Sequence, residues 1–329
     1  MSLLMISSLF LLCALVIVAS GTRLSYYGDV IAERSGLGQA WVGVIAMASV
    51  TSLPELVTGV SAAVIRAPEI AVGDVVGSCM FNLLILGILD LLTPSPLLNR
   101  LRPVHTLSAA LGALLLSVVA VAILTAGRWP ALGWIGLTSP ILMGGYLLAM
   151  RALFVFERTH DQVKDDNVLA DKYAHLSLRG AVIRYLATAV VLVMAAANLP
   201  SLAVAFAEAT GLDQGFVGTA FVAASTSLPE VVVSFAAMRL GAWDMAAANL
   251  LGSNLFNVAI LSVDDAAYTA GPLLAAVSPG HAVTALGAAA MSVIVIAGLV
   301  VRPKPLIGRL TLPLTGLMLT YVVITWLAF

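Results

Sequence analysis

The chain has 329 residues, 61% of them hydrophobic and 10% charged, with a formal net charge of −1 and a mean hydropathy of +1.06. That composition lies far outside the range of water-soluble domains and leaves no room for a basic nucleic-acid face or a soluble appendage. Function must reside within a membrane.

Hydropathy divides the chain into ten apolar segments, residues 4–33, 39–65, 69–92, 105–126, 131–155, 180–209, 214–238, 242–263, 281–301 and 310–328. Each is long enough to cross a hydrocarbon layer about 30 Å thick. Backbone groups in lipid have no water to bond, so every segment is predicted to be a helix and the fold an all-α polytopic membrane protein. The first segment lacks a basic n-region and extends into a full span, so it reads as a helix rather than a cleaved signal. Cys13 and Cys79 fall within apolar helices and read as free thiols.

Basic residues set the orientation. With the N-terminus outside, inner loops and helix ends carry Arg34, Arg100, Arg102, Arg151, Arg158, Lys164, Lys172, Arg179, Arg184, Arg239, Arg302, Lys304 and Arg309, against Arg66 and Arg128 outside. This excess places both termini outside. The polar stretch 157–178 is then a cytoplasmic connecting loop. Its Asp161, Asp165, Asp166 and Asp171 match no calcium-loop spacing and read as a solvated connector.

TSLPE occurs at 51–55 and again at 226–230, an offset of 175. The same offset lays AWVGVIAMASVTSLPELV (40–57) over GFVGTAFVAASTSLPEVV (215–232), and DVVGSCMFNLLILGILD (74–90) over NLLGSNLFNVAILSVDD (249–265). Two repeats follow, residues 1–156 and 179–329, joined by the loop. Five helices per repeat is an odd number, which inserts the second repeat upside down relative to the first. In such inverted repeats, equivalent residues converge near the bilayer midplane, so Glu55 is expected to face Glu230.

The proline in each TSLPE lacks an amide hydrogen, and carbonyls near Ala48 and Ala223 are expected to lose their helical partners. Thr51, Ser52, Thr226 and Ser227 add hydroxyls. The second repeated element, GSxxFN, adds Ser78 and Asn82, then Ser253 and Asn257. Every candidate ligand is an oxygen, which suits hard cations such as calcium or sodium and disfavours zinc or copper. A carboxylate at mid-membrane costs about 3 kcal/mol on insertion scales, so one in each repeat marks a functional site. Asp74, whose mate is Asn249, either lines the pathway or is solvated near a helix start. Arg23, Asp29, Asp90, Asp244, Asp264 and Asp265 read as structural residues near helix ends.

These two motifs, each occurring twice, resemble the sodium/calcium exchanger membrane family of the calcium/cation antiporter superfamily, in its prokaryotic ten-helix form. The resemblance covers nearly the whole chain. It implies a diamond of four ion-binding residues, Glu55, Asn82, Glu230 and Asn257. It also implies sodium sites lined by Thr51, Ser52, Ser78, Thr226, Ser227 and Ser253 and by the carbonyls of Ala48 and Ala223. This sequence departs from the family pattern at Val50 and Ser225, where glycine is usual, and at Cys79, where asparagine is common.

The expected activity is therefore calcium-for-sodium antiport by alternating access at a midplane site, in a multi-pass protein of the cell membrane. The alternative is a proton-coupled calcium or other divalent cation exchanger. An intramembrane hydrolase is disfavoured, because the acids are symmetric and no histidine in the apolar helices aligns with a motif. Calcium and sodium ions and membrane lipid are the expected partners, with no cofactor, nucleic acid or obligatory protein partner. The first and sixth helices, long and free of proposed ligands, are the expected moving parts.

Overall fold

The computed structural model describes residues 2–36, 38–93, 95–160, 176–210, 222–302, 304–306 and 308–328. In chain order, α1 spans Leu3–Ser35, and a bent pair follows, α2 (Gln39–Thr51) and α3 (Leu53–Val64). Next come α4 (Pro68–Leu92), α5 (Val104–Leu124), a hairpin of β1 (Ala131–Leu132) and β2 (Ile135–Gly136), and α6 (Thr138–His160). Then come α7 (Leu178–Ala196), α8 (Leu199–Thr210), α9 (Val222–Thr226), α10 (Leu228–Arg239), α11 (Trp243–Ala267), α12 (Gly280–Val301) and α13 (Leu312–Ala328). Among the described residues, α1, α4, α5, α6, α7, α11 and α12 are long and apolar enough to cross a membrane, making seven spans, or up to eight if α2 and α3 form one. The chain is a multi-pass integral membrane protein.

Three expectations change. The fifth segment begins with an antiparallel hairpin rather than a helix, with Ala131 paired to Gly136 and Leu132 to Ile135. Gly133 adopts φ 69° in the turn, a conformation only glycine enters freely. Apolar composition alone does not separate such a ribbon from a helix end. The sixth segment is two helices, α7 and α8, parted at Ala197 and Asn198. Pro200 is the second residue of α8, and its missing amide ends the ladder of α7 while fitting the first turn of a new helix. The expected loop starts later than 157, because α6 continues to His160. The aspartates of that loop and the first part of the seventh segment lie outside the described residues.

The bend between α2 and α3 is 42°. Ser52 sits at the break with φ −89° and ψ 7°, and Ser227, between α9 and α10, takes nearly the same conformation, φ −79° and ψ 2°. In both copies proline occupies the second position of the following helix, where the amide it lacks would have no intrahelical partner in any case. Residues Gly43–Met47 of α2 form a π-helical turn, a widening that often accompanies functional sites.

The centre of the bundle is α11 packed on α4, α2, α3 and α10. Glycines permit the closest approach. A methyl group on Gly43 would lie 2.6 Å from the Ala248 Cβ, and one on Gly252 would lie 2.8 Å from the Val44 Cα. Where α2 crosses α11, backbone meets backbone.

Buried acids tie the ends of the central helices. Asp90 accepts from the Leu98 amide (3.3 Å) and the Thr311 hydroxyl (3.0 Å). Its mate Asp265 accepts from the Leu273 amide (2.6 Å), the Gly136 amide (2.8 Å) and the Ser139 hydroxyl. Glu69 Oε2 meets His281 Nε2 at 2.6 Å, and its mate Asp244 meets His105 Nε2 at 2.8 Å through Oδ1. These acids are structural, as expected for Asp90, Asp244 and Asp265. Asp264 is the exception, being fully buried with neither oxygen hydrogen-bonded among the described residues.

Candidate ion-binding site

Glu55 and Glu230 are each the third residue of a helix that starts inside the bundle, α3 and α10. At that position a carboxylate faces the positive end of the helix dipole and the amides of the first turn. Both are fully buried, as are Ala48, Thr51, Ser52, Ser78, Asn82, Thr226, Ser227, Ser253 and Asn257, while Ala223 is 4% exposed. All twelve residues expected at the site from sequence are thus in the interior.

Most of the hydrogen bonds that cross the centre come in pairs 175 residues apart. The Ser52 hydroxyl donates to Glu230 Oε1 (2.9 Å), and the Ser227 hydroxyl to Glu55 Oε1 (3.4 Å). Thr226 donates to Asp74 Oδ1 (2.9 Å), and Thr51 to Asn249 Oδ1 (3.3 Å). The hydroxyls of Ser78 and Thr226 lie 3.5 Å apart, as do those of Ser253 and Thr51. The Asn254 amide donates to the Cys79 carbonyl (3.1 Å), and the Cys79 thiol lies 3.8 Å from the Asn254 carbonyl. Each bond joins the first half of the chain to the second.

Two groups missed as definite site residues belong here. Asp74, left open between pathway and solvation, is 1% exposed and bonded to Thr226. The shared offset with Asn249 was the available signal. Asn254, the mate of Cys79, accepts from the Asn82 amide through Oδ1 (3.1 Å). Cys79 offers only a weak sulfur in place of that oxygen; Asn257, the mate of Asn82, lies beside the Cys79 thiol, and neither of its polar side-chain atoms makes a full hydrogen bond among the described residues.

The carbonyls of Ala48 and Ala223 are not released by the prolines. Each accepts from the amide four residues on, Ser52 and Ser227, at 3.0 Å. Each also lies near the threonine hydroxyl of its own motif, at 3.3 Å for Ala48 and 3.0 Å for Ala223. The amide that proline lacks is the one that would reach Val50 or Ser225, since the helical bond runs from residue i to i−4.

Within this hydrogen-bonded frame, one oxygen on each of four residues has no partner among the described residues: Glu55 Oε2, Asn82 Oδ1, Glu230 Oε2 and Asn257 Oδ1. A buried carboxylate or amide oxygen without a donor is costly. Four of them, two from each half and all at the centre, match the donor chemistry of a hard cation.

A multi-pass bundle whose broken helices enclose an oxygen-lined centre is the architecture of a secondary transporter. The chain belongs to the sodium/calcium exchanger protein family, whose profile matches residues 6–156 and 181–329. Among curated relatives, it is 28% identical to inner membrane protein YrbG of Escherichia coli, over 78% of each chain. It is 29% identical to the putative antiporter CaxA of Alkalimonas amylolytica, over 79% of this chain and 80% of that protein. It is 27% identical to the sodium/calcium exchanger MaX1 of Methanosarcina acetivorans, over 78% of this chain and 81% of that protein. Its fold matches a solved structure of the sodium-calcium exchanger NCX_Mj, with a TM-score of 0.74, 20% identity and 98% of both chains covered.

Proposed function

We propose that the protein is a secondary antiporter that exchanges calcium for sodium across the membrane by alternating access at the Glu55–Glu230 centre. The four unpartnered oxygens carry the proposal. Glu55, Asn82, Glu230 and Asn257 would hold calcium, with hydroxyls of Thr51, Ser52, Ser78, Thr226, Ser227 and Ser253 turning toward sodium ions around them. Ala48 and Ala223 would contribute carbonyls once Thr51 and Thr226 swing away. Family membership and the relatives named as exchangers or antiporters support the same assignment.

Competition supplies the coupling. Calcium needs about six to eight oxygens, and the two carboxylates cannot serve it and several sodium ions at once, so binding one species excludes the other. Alternation requires that the ions stabilise the outward and inward states unequally. The architecture we propose is ten spans in two inverted repeats, residues 1–156 and 179–329, with both termini outside, in the cell membrane. The paired hydrogen bonds across the centre support it. Helix α1 and its broken counterpart α7–α8 carry none of the proposed ligands and would slide past the central helices.

Purified protein in liposomes, with sodium, potassium and proton gradients imposed separately, provides the test. Calcium uptake driven by an outward sodium gradient is expected. Uptake that ignores sodium and follows the pH gradient would establish the proton-coupled alternative instead.

A further inference from the structure

The two halves differ beside the shared centre, at three positions related by the same offset. On one side stand Gly59, Asp74 and Asp264; their mates are Ser234, Asn249 and Leu89. On the mate side polar groups are satisfied, because the Asn249 amide donates to the Ser234 hydroxyl at 2.9 Å. By the shared offset, positions 74 and 59 are expected to be neighbours in the equivalent place.

Gly59 has no hydroxyl, and the Asp264 carboxylate takes the space. A methyl group on Gly59 would overlap both Asp264 oxygens. Asp264 is fully buried and Asp74 is 1% exposed, and the two are within electrostatic reach of each other. Asp74 Oδ2 and both oxygens of Asp264 have no hydrogen-bond partner among the described residues. Helices α4 and α11 thus place three unpaired carboxylate oxygens beside Gly59 of α3 and within electrostatic reach of one another, where the mate side has an amide, a hydroxyl and a leucine. Gly59 lies one helical turn beyond Glu55 on α3, and Asp264 lies two turns beyond Asn257 on α11, so the cluster flanks the centre on the side toward which both helices end.

We propose that Asp74 and Asp264 hold a further hard cation, sodium or calcium, between their carboxylates beside Gly59, as a station on one of the two symmetric approaches to the centre. Two buried carboxylates without a donor between them repel each other in an apolar interior; a cation between them reverses the sign. The mate side, with Leu89 and a closed Asn249–Ser234 bond, holds no such ion. The station makes the transporter chemically unequal at its two faces although the centre itself is nearly symmetric. It presupposes that cations reach the Glu55–Glu230 centre.

Equilibrium binding of 45Ca2+ and of 22Na+ to the full chain in detergent tests the station without requiring transport. Wild type is expected to bind one more ion per chain of one isotope than Asp264→Asn. A second variant, Gly59→Ser with Asp264→Leu, installs the mate residues and preserves packing, and it is expected to show the same loss. Equal ion counts in all three proteins, the result for an Asp264 that merely holds a proton, would overturn the proposal. Flux and ion count fail separately: a wild type that exchanges no calcium for sodium sinks the antiport assignment, whereas a one-ion difference in binding still supports the station.

Discussion

Around Glu55 and Glu230 the two halves carry the same acid-bearing pentapeptide and reach across to each other with matched serine–glutamate bonds, whereas one turn away, around Gly59 and Ser234, they part. At the centre, serine reaches across to glutamate from each half, at 2.9 and 3.4 Å. At the flank, one half closes with an amide–hydroxyl bond and the other leaves carboxylate oxygens unpaired. In the proposed antiporter, duplication supplies a matched pair of ligands on two sides of an ion, and divergence of the surroundings supplies direction. A site that must open alternately to two faces needs the first, and unequal handling of ions at those faces needs the second.

The largest effect is expected at the matched acids. Glu55→Gln and Glu230→Gln should each lower calcium exchange at least ~100-fold, about 2.7 kcal/mol, with thermal melting in detergent nearly unchanged. A large difference between the two variants would break the equivalence of the halves at the centre. Gly252→Val comes next, because its side chain would run into the Val44 backbone; overpacking of this kind costs about 1–3 kcal/mol and should appear as a lowered melting temperature.

A smaller effect separates the halves. Thr226 donates to a carboxylate and Thr51 to an amide. Hydrogen bonds to charged groups are worth about 1.5–3 kcal/mol and neutral ones about 0.5–1.5, so Thr226→Val should destabilise the fold more than Thr51→Val. Equal melting shifts would mean that Asp74 is neutral when no ion is bound. The smallest change, in the opposite direction, is expected for Cys79→Asn. It restores the mate of Asn254 and offers the Asn257 amide an acceptor like the one Asn82 has, which should raise stability by about 1 kcal/mol and leave calcium binding intact, because Asn257 Oδ1 stays free as Asn82 Oδ1 does.

Much of the site was legible in the chain because an identical acid-bearing pentapeptide in two apolar segments has few explanations other than a shared centre. Other features were not. The carbonyl argument named Ala48 and Ala223, but the amide proline lacks points four residues back, to Val50 and Ser225, and the alanine carbonyls kept their backbone amide donors. Segment 131–155 reads as uniformly apolar, and hydropathy carries no signal for a two-residue ribbon ahead of a helix. Pro200 was visible, yet proline is tolerated in membrane helices and only the geometry at Asn198 showed a break. Asp264 sits next to Asp265 in sequence and was grouped with it, although one caps a turn and the other faces Gly59.

By itself, the sequence determined that the chain spans a membrane, that its halves share motifs at one offset, and that oxygen ligands cluster in those motifs. These follow from composition and periodic spacing, which are local properties of the chain. Tertiary structure alone decided which oxygens are satisfied and which are left over. Hydrogen bonding between Ser52 and Glu230, or the absence among the described residues of any donor beside Asp264, depends on helices far apart in the chain meeting in lipid. There, a missing partner leaves a buried oxygen unsatisfied, and that cost is what the proposed ions would offset.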